Sequence, residues 1–351
     1  MVAMALSRRS VWFWALGVAM MVLLAVGTGA PIQAGAPLNP SRKGTYIPLS
    51  SPPPGAQQVK VGFYPVAIYD LDQASNTFYA DAYVWLRWKG DIDPSSTIEF
   101  TNMVEEWGKQ LEPLIEAPKT LPDGSKYQLF RVEGRFVQPF SLADYPLDRH
   151  NLGIRIEDTT SGVNQLSFVI DEDSSGIDQK LEIPGWKLQG WRGEILEHAY
   201  GTNFGEMEQS SNYSVANFEM VIERPLSFFL WKQMLPLVIV VMAALVALLV
   251  NPRSLDARLA LPMGALLSAI FLQKGYSDTL PDLGYLVFMD KIYLLAYPLI
   301  LIVLIRAIVA FLKATQASDA EIEQMQRVDR KVVVALGISF AVGTAVVTAL
   351  R

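Results

Sequence analysis

The sequence predicts an exported antiparallel β-sandwich followed by a bundle of four membrane-spanning α-helices. Three observations predict it: an N-terminus that runs from basic to apolar to small residues, a middle segment of short alternating stretches broken by turn residues, and four apolar runs crowded into the last third of the 351 residues. With 51% hydrophobic and 18% charged residues and a mean hydropathy of +0.25, the chain is too apolar for one ordinary soluble domain. Zero cysteines exclude a disulfide framework, a Cys-ligated metal site and a thiol nucleophile. The formal charge of −6 hides an asymmetry, because residues 37–223 carry 27 acids against 15 bases and the remainder carries 8 against 14. No cluster of Lys and Arg of the kind that neutralises phosphates is present, so nucleic acid is not an expected partner.

Residues 1–36 read as a secretory signal peptide: Ser7-Arg8-Arg9, then Val11 to Gly27 without a charge, then Ala34-Gly35-Ala36. An uncleaved anchor helix is the other reading, and either one exports the segment after it. Residues 37–57, with Pro52, Pro53 and Pro54 in a row, read as an extended lead-in.

The exported domain spans residues 58–224. Its strand-like stretches are Val59 to Tyr69, Thr77 to Trp88, Tyr127 to Val137, Asn151 to Glu157, Gln165 to Asp171, Trp186 to His198 and Tyr213 to Ile222. Strands at this spacing, with no helical periodicity between them, argue for an antiparallel sandwich. Alternation puts Val84, Leu86 and Trp88 on a core face and Tyr83, Trp85 and Arg87 on the other.

Residues 225–351 hold the helices, expected at about 228–250, 256–274, 284–312 and 331–350. A span needs about 20 helical residues to cross a hydrocarbon core of roughly 30 Å, which the first, third and fourth runs satisfy. The second is shorter and contains Pro262, which is expected to interrupt it. Such a helix survives when neighbours or a water path, rather than lipid, surround it. Arg253, Arg258, Lys313, Arg327, Arg330 and Lys331 place their loops in the cytoplasm.

Several motifs in order resemble the pentameric ligand-gated ion channels of the Cys-loop superfamily, specifically bacterial members that lack the loop cysteines. The segment from Gln138 to Leu152, with Tyr145-Pro146-Leu147-Asp148 at its centre, is similar to the family's signature loop, and Gln138 and Leu152, with 13 residues between them, stand where animal members have cysteines. Glu223-Arg224-Pro225 before the first helix, Pro236 within it, and Leu280-Pro281 followed by Asp290 are similar to the family's pre-helix and inter-helix motifs. The resemblance covers roughly Val59 to Leu350. It implies a homopentamer in a bacterial inner membrane, with the N-terminal domain outside, lipid around the helices and inorganic ions as the conducted species. No cofactor and no resident metal are expected; the runs Asp171-Glu172-Asp173 and Glu206 to Glu208 read as solvated surface, with a bound divalent cation as the alternative. The resemblance also implies coupling through Asp72, Tyr145, Pro146, Asp148, Arg224, Leu280 and Pro281. Pairing of Arg224 with Asp148, and with Asp72, is the expected hinge. The bland alternative is that Arg224 snorkels at the membrane surface.

A pore stripe on the second helix would be Ala260, Gly264, Leu267, Phe271 and Lys274, with Leu267 the hydrophobic gate by resemblance. Small residues there also suit plain helix packing. The stripe lacks the family's hydroxyl or amide ring, which leaves a non-conducting membrane sensor as the alternative. Asp256 and the acidic domain favour cations, whereas Arg258 and Lys274 oppose them.

Agonists of this family bind between subunits among aromatics. By resemblance the principal face draws on Asn102 to Trp107, Glu157 to Thr160 and the hairpin His198 to Tyr213, with Trp107, Glu157, Asp158, Tyr200, Phe204 and Tyr213 as candidates. The facing side draws on Tyr83 or Trp85 with Phe130. The small-molecule agonist is unidentified; aromatic faces suit an organic cation and clustered carboxylates suit a proton. Enzyme chemistry is not expected, because G-x-S-x-G is absent and the two histidines, His150 and His198, fall in the signature loop and at a hairpin start. Internal repeats, which a secondary transporter would need, are also absent.

Overall fold

A computed structural model describes residues 44–104, 110–202, 204–205 and 212–351. Residues 1–36, the expected signal peptide, lie outside the described residues. The chain divides into two compact units: one contains Ser141–Asp148 and Pro225–Arg351, and the other contains the strands on either side of that loop up to Arg224.

The strand unit has twelve strands among the described residues: β1 Thr45–Pro48, β2 Gln57–Asp72, β3 Thr77–Trp88, β4 Ile98–Phe100, β5 Met103–Val104, β6 Gln110–Pro113, β7 Lys119–Thr120, β8 Lys126–Val137, β9 Arg149–Asp158, β10 Leu166–Ile170, β11 Lys187–Ala199 and β12 Asn212–Glu223. One sheet runs β1-β11-β12-β9-β4, and the other runs β10-β2-β3-β8-β5, with β6 and β7 also on β8. All seven stretches expected from sequence are strands, each end within three residues of its expected place. The alternation in β3 is as expected, with Val84, Leu86 and Trp88 at 0–1% exposure and Tyr83, Trp85 and Arg87 half-buried.

Two features depart from the simplest sandwich. The pair β10–β2 is parallel, because β10 arrives from the opposite sheet instead of from a hairpin. Within the lead-in, Thr45–Pro48 pairs with Leu196–Ala199 as an edge strand whose residues are all exposed. Phe63 of β2 stacks on Phe218 of β12 at 5.0 Å, and Phe136 of β8 meets Phe100 of β4 edge-on at 6.1 Å, so apolar rings from both sheets fill the core.

The helical unit has α1 Phe228–Leu249, α2 Leu255–Ser277, α3 Phe288–Ala314 and α4 Asp319–Ala349, each long and apolar enough to cross a membrane. Contrary to expectation, α2 runs unbroken through the buried Pro262. The ring removes one helical donor, and packing on neighbouring helices tolerates that loss. At roughly 1.5 Å per residue its 23 residues span about 34 Å, so it is not short. Helix α4 begins twelve residues before its expected start, because Ser318 donates to Glu321 across the first turn and Glu323 pairs with Arg327, which makes a charged but stable helix end.

Candidate ligand site, coupling loop and pore helix

The ligand candidates gather at one end of the β11–β9–β4 sheet. Glu157 on β9 is 2% exposed, and its Oε1 accepts from the Tyr200 hydroxyl at 2.8 Å while its Oε2 lies 3.0 Å from His198 Nδ1. Tyr200 meets Phe204 and Tyr213 edge-on at 5.0 and 5.8 Å. Phe204 is 56% exposed at the hairpin, where its φ of 54° is left-handed, and Tyr213 is buried at 4%. Burial pushes the Glu157 carboxyl up to about 7; the Tyr200 hydrogen bond opposes the shift, and Glu99 and Asp158 reinforce it. Burial and the same hydrogen bond raise the Tyr200 phenol above its ordinary range.

Three expected residues have other duties or positions. Asp158 is 1% exposed and caps its own turn, accepting from the Thr97 hydroxyl, from Thr160 N at 3.0 Å and from Ser161 N at 2.6 Å. Phe130 is 4% exposed and sits on the core face of β8 opposite Val84, so it does not join Tyr83 and Trp85. Leu129 and Arg131 pair with Trp85 and Tyr83 in register and hold that outer face instead. Trp107 lies outside the described residues. Trp85 is fixed by its Nε1–H, which donates to Asp171 at 2.9 Å. Nearby, Asn102 is a buried stitch whose Nδ2 donates to Val137 O and Gly153 O and whose Oδ1 accepts from Arg155 N.

The signature loop belongs to the helical unit from Ser141 to Asp148. The carbonyls of Ala143 and Tyr145 accept from Phe288 N at 2.7 Å and Met289 N at 3.1 Å, two of the otherwise unpartnered donors at the start of α3. The Tyr145 ring stacks on Tyr276 of α2 at 5.8 Å, and the Tyr145–Pro146 bond is cis. Tyr276 donates to Asp290 of α3, which also accepts from Gln273 at 3.0 Å, and Gln273 in turn accepts from Tyr297. Leu142 N donates to the Tyr285 hydroxyl at 3.3 Å in the loop between α2 and α3, where Leu280 and Pro281 line a cavity with Tyr276 and Asp290. Where animal members have a disulfide, Gln138 Oε1 accepts from Gly153 N at 3.1 Å, next to the fully buried Leu152.

The expected Asp72 hinge is differently arranged. Asp72 Oδ1 accepts from Ala74 N and Ser75 N, and Oδ2 from the Ser75 hydroxyl, so its carboxylate closes its own turn and is held below the usual range, chiefly by Ser75. Arg224 donates to Gln73 Oε1 at 3.2 Å and lies 4.3 Å over the Trp186 ring.

On α2 the buried residues are Arg258, Pro262, Ala265, Ala269 and Tyr276, which share one face. Ala260, Gly264, Leu267, Phe271 and Lys274 are exposed in the single chain and fall on the opposite face, in line with the exposed Asp256. Arg258, expected to oppose cations, is 0% exposed. Its guanidinium donates to Leu248 O, Val250 O and, at 2.7 Å, to Asp329 of α4, which also takes Arg306 of α3 at 2.8 Å. Sequence reasoning missed this cluster, because 71 residues separate Arg258 from Asp329 and no local pattern links them.

A β-sandwich followed by four helices able to span a membrane, with the Ser141–Asp148 loop seated on the start of α3 and the end of α2, makes the chain similar to pentameric ligand-gated channels and supports a multi-pass membrane protein with an extracellular N-terminal domain. No family model matches the chain. A proton-gated ion channel of Gloeobacter violaceus is 20% identical over 304 residues, covering 80% of this chain and 81% of that one. A glutamate-gated chloride channel of Drosophila melanogaster is 24% identical over 168 residues, covering 48% of this chain and 35% of that one. A gamma-aminobutyric acid receptor subunit beta of Caenorhabditis elegans is 24% identical over 213 residues, covering 58% of this chain and 36% of that one. The chain thus spans about a third of each animal relative's length. These relatives are channels, not enzymes, and a homopentamer is consistent with them.

Proposed function

We propose that the chain is a subunit of a homopentameric ligand-gated ion channel of a bacterial cell membrane, exported by its N-terminal segment. Ligand binds among the aromatics at the sandwich interfaces, with Tyr200, Phe204 and Glu157 on the principal side and Tyr83 and Trp85 on the facing side. The signature loop passes the change to the helices. Its backbone is bonded to the start of α3 and its Tyr145 ring lies on α2, so a displaced loop moves both helices. The pore is the α2 stripe Ala260, Gly264, Leu267, Phe271 and Lys274. A ring of Leu267 side chains closes it by excluding water.

The observation that carries this reading is the division of α2 into two faces, one buried and one exposed along its whole length. A lipid-facing helix of a single chain also exposes one face; what sets α2 apart is its lower mean hydropathy, 1.6 against 2.2 to 2.6 for the other three, with charged Asp256 and Lys274 at the two ends of the exposed stripe. Cations are preferred because Asp256 remains exposed at the inner end, while Arg258 is buried against Asp329. A non-conducting sensor of the same fold is the alternative, favoured by the lack of hydroxyl or amide side chains on that stripe.

The absence of cysteine makes the test clean. Single cysteines placed along α2 are exposed to a charged thiol reagent while current is recorded. Block at positions 260, 264, 267 and 271, with none at 262, 265 and 269, is the expected result. Block at the second set places the pore on the other face and refutes the assignment.

A further inference from the structure

The edge strand β1 brings a ring over the aromatic cluster of the strand unit. Thr45–Pro48 pairs with Leu196–Ala199 in antiparallel register, which sets Tyr46 opposite His198. The Tyr46 ring stacks on the His198 imidazole at 4.1 Å and 17°, and the guanidinium of Arg155 on β9 lies 5.0 Å over it. One side chain of β1 thus reaches across the outer face of the sheet from β11 to β9. The imidazole also meets the Tyr200 ring at 3.8 Å, and the Glu157 carboxylate, bonded to His198 Nδ1 and to Tyr200, is 2% exposed. The backbone of the strand closes what remains. A methyl carbon placed on Gly44 would stand 3.6 Å from His198 Nε2 and 3.6 Å from Tyr200 Cα, so the start of β1 covers the ring nitrogen that does not face Glu157.

We propose that β1 is a strap over the ligand site and that Tyr46 is the residue that closes it, so that a ligand reaches Glu157 only after β1 peels from β11. This rests on the reading that the aromatic cluster is the ligand site of a channel, and it names how entry to that site is controlled.

The strap is built to open. All four of its residues are exposed, Ile47 by 54%, and Pro48 has no N–H to give to the ladder. An edge with few buried contacts opens at a small fraction of the free energy of global unfolding. Arg155 shifts the balance further: its Nε is buried with no hydrogen-bond partner among the described residues, a cost that water relieves once the ring beside it leaves. The backbone pairing, the bond from Leu49 N to Ile195 O at 2.9 Å and the Tyr46 stack act in the other direction.

The chain has no cysteine of its own, so Thr45→Cys with Ala199→Cys ties the strap down by a single disulfide. The two residues are directly opposed, which places their Cα atoms about 4.5–5.5 Å apart, and strand alternation puts both side chains on the face away from Tyr46. Entry is read on His198 in the full-length protein in bilayers, as the rate at which diethyl pyrocarbonate modifies its imidazole, followed by mass spectrometry. Burial, and then Arg155, hold that ring below its ordinary value, so it is neutral and reactive at neutral pH.

Tyr46→Ala is expected to raise the rate about tenfold, whereas Tyr46→Phe, which keeps the ring, stays within about twofold of the wild type. The closed disulfide is expected to lower the wild-type rate about tenfold, and reduction to restore it. A rate unchanged by Tyr46→Ala, a Tyr46→Phe rate equal to that of Tyr46→Ala, or a rate indifferent to the disulfide overturns the proposal, because His198 is then reached without the ring or the strap moving. Current through Leu267→Ser separates this result from the channel reading. Silence of that variant with the expected His198 rates upholds the strap and refutes the channel; current with His198 rates indifferent to the disulfide upholds the channel and overturns the strap.

Discussion

Replacing Asp329 by asparagine removes the one carboxylate that two guanidiniums share inside the helical unit. Asp329 and Arg258 are both 0% exposed, and the Arg306 side chain is 18% exposed. Removing one partner of a buried ion pair costs about 3–5 kcal/mol, because the remaining charge is stranded. Arg306 can reach water, and Arg258 keeps the carbonyls of Leu248 and Val250, so the cost falls at the lower end, about 3 kcal/mol per subunit. Thermal or denaturant unfolding of the solubilised protein measures it. The mechanism is tested by a double-mutant cycle with Arg258→Met. If the cost comes from an orphaned Arg258, it shrinks below about 1 kcal/mol once that arginine is gone. An Asp329→Asn variant within about 0.5 kcal/mol of the wild type, or a cost unchanged in the Arg258→Met background, refutes the reasoning.

Three further outcomes rest on the same kind of packing argument. Because the folded state holds the Glu157 carboxyl at about 7, above its unfolded value, folding binds a proton; stability is retained at acid pH and declines as pH rises through 7. Glu157→Gln flattens that decline in unfolding measured across pH, and an unchanged slope refutes the assignment. In Gly62→Ala the new methyl carbon would meet the Trp85 ring at 2.0 Å, which expels the indole from its bond to Asp171 and costs about 1–3 kcal/mol, visible as a fluorescence shift; a wild-type spectrum and stability refute it. Asp256→Lys is expected to move the reversal potential in a salt gradient toward that of an anion, and an unmoved potential removes Asp256 from the ion path.

The fold was legible because its long elements carry strong periodicity. Thr77–Trp88 alternates for twelve residues and is a strand over that same range. Strands β4 to β7 are two to four residues long, too short for a pattern, and β1 exposes all four of its residues. The start of α4 was hidden because hydropathy marks only the part in lipid, whereas Ser318 and Glu321 carried a capping signal three residues apart.

The candidate site was legible in part. Glu157, Tyr200, Phe204 and Tyr213, candidates by resemblance, lie together in the structure. Phe130 was misplaced, although counting back along β8 from Phe136 puts it on the core face. Asp158, with Thr159, Thr160 and Ser161 after it, carries the signature of a turn-closing aspartate. The Glu157–His198 and Arg258–Asp329 pairs join residues 41 and 71 positions apart, and only tertiary packing creates them.

The most direct test of the channel reading is the current across a bilayer containing Leu267→Ser, beside the wild type, with pentamers verified in both. Spontaneous current from the variant, with a reversal potential on the cation side in a salt gradient, is the predicted result. Silence from both proteins across the whole pH range contradicts a hydrophobic gate at Leu267 and leaves a sensor that does not conduct.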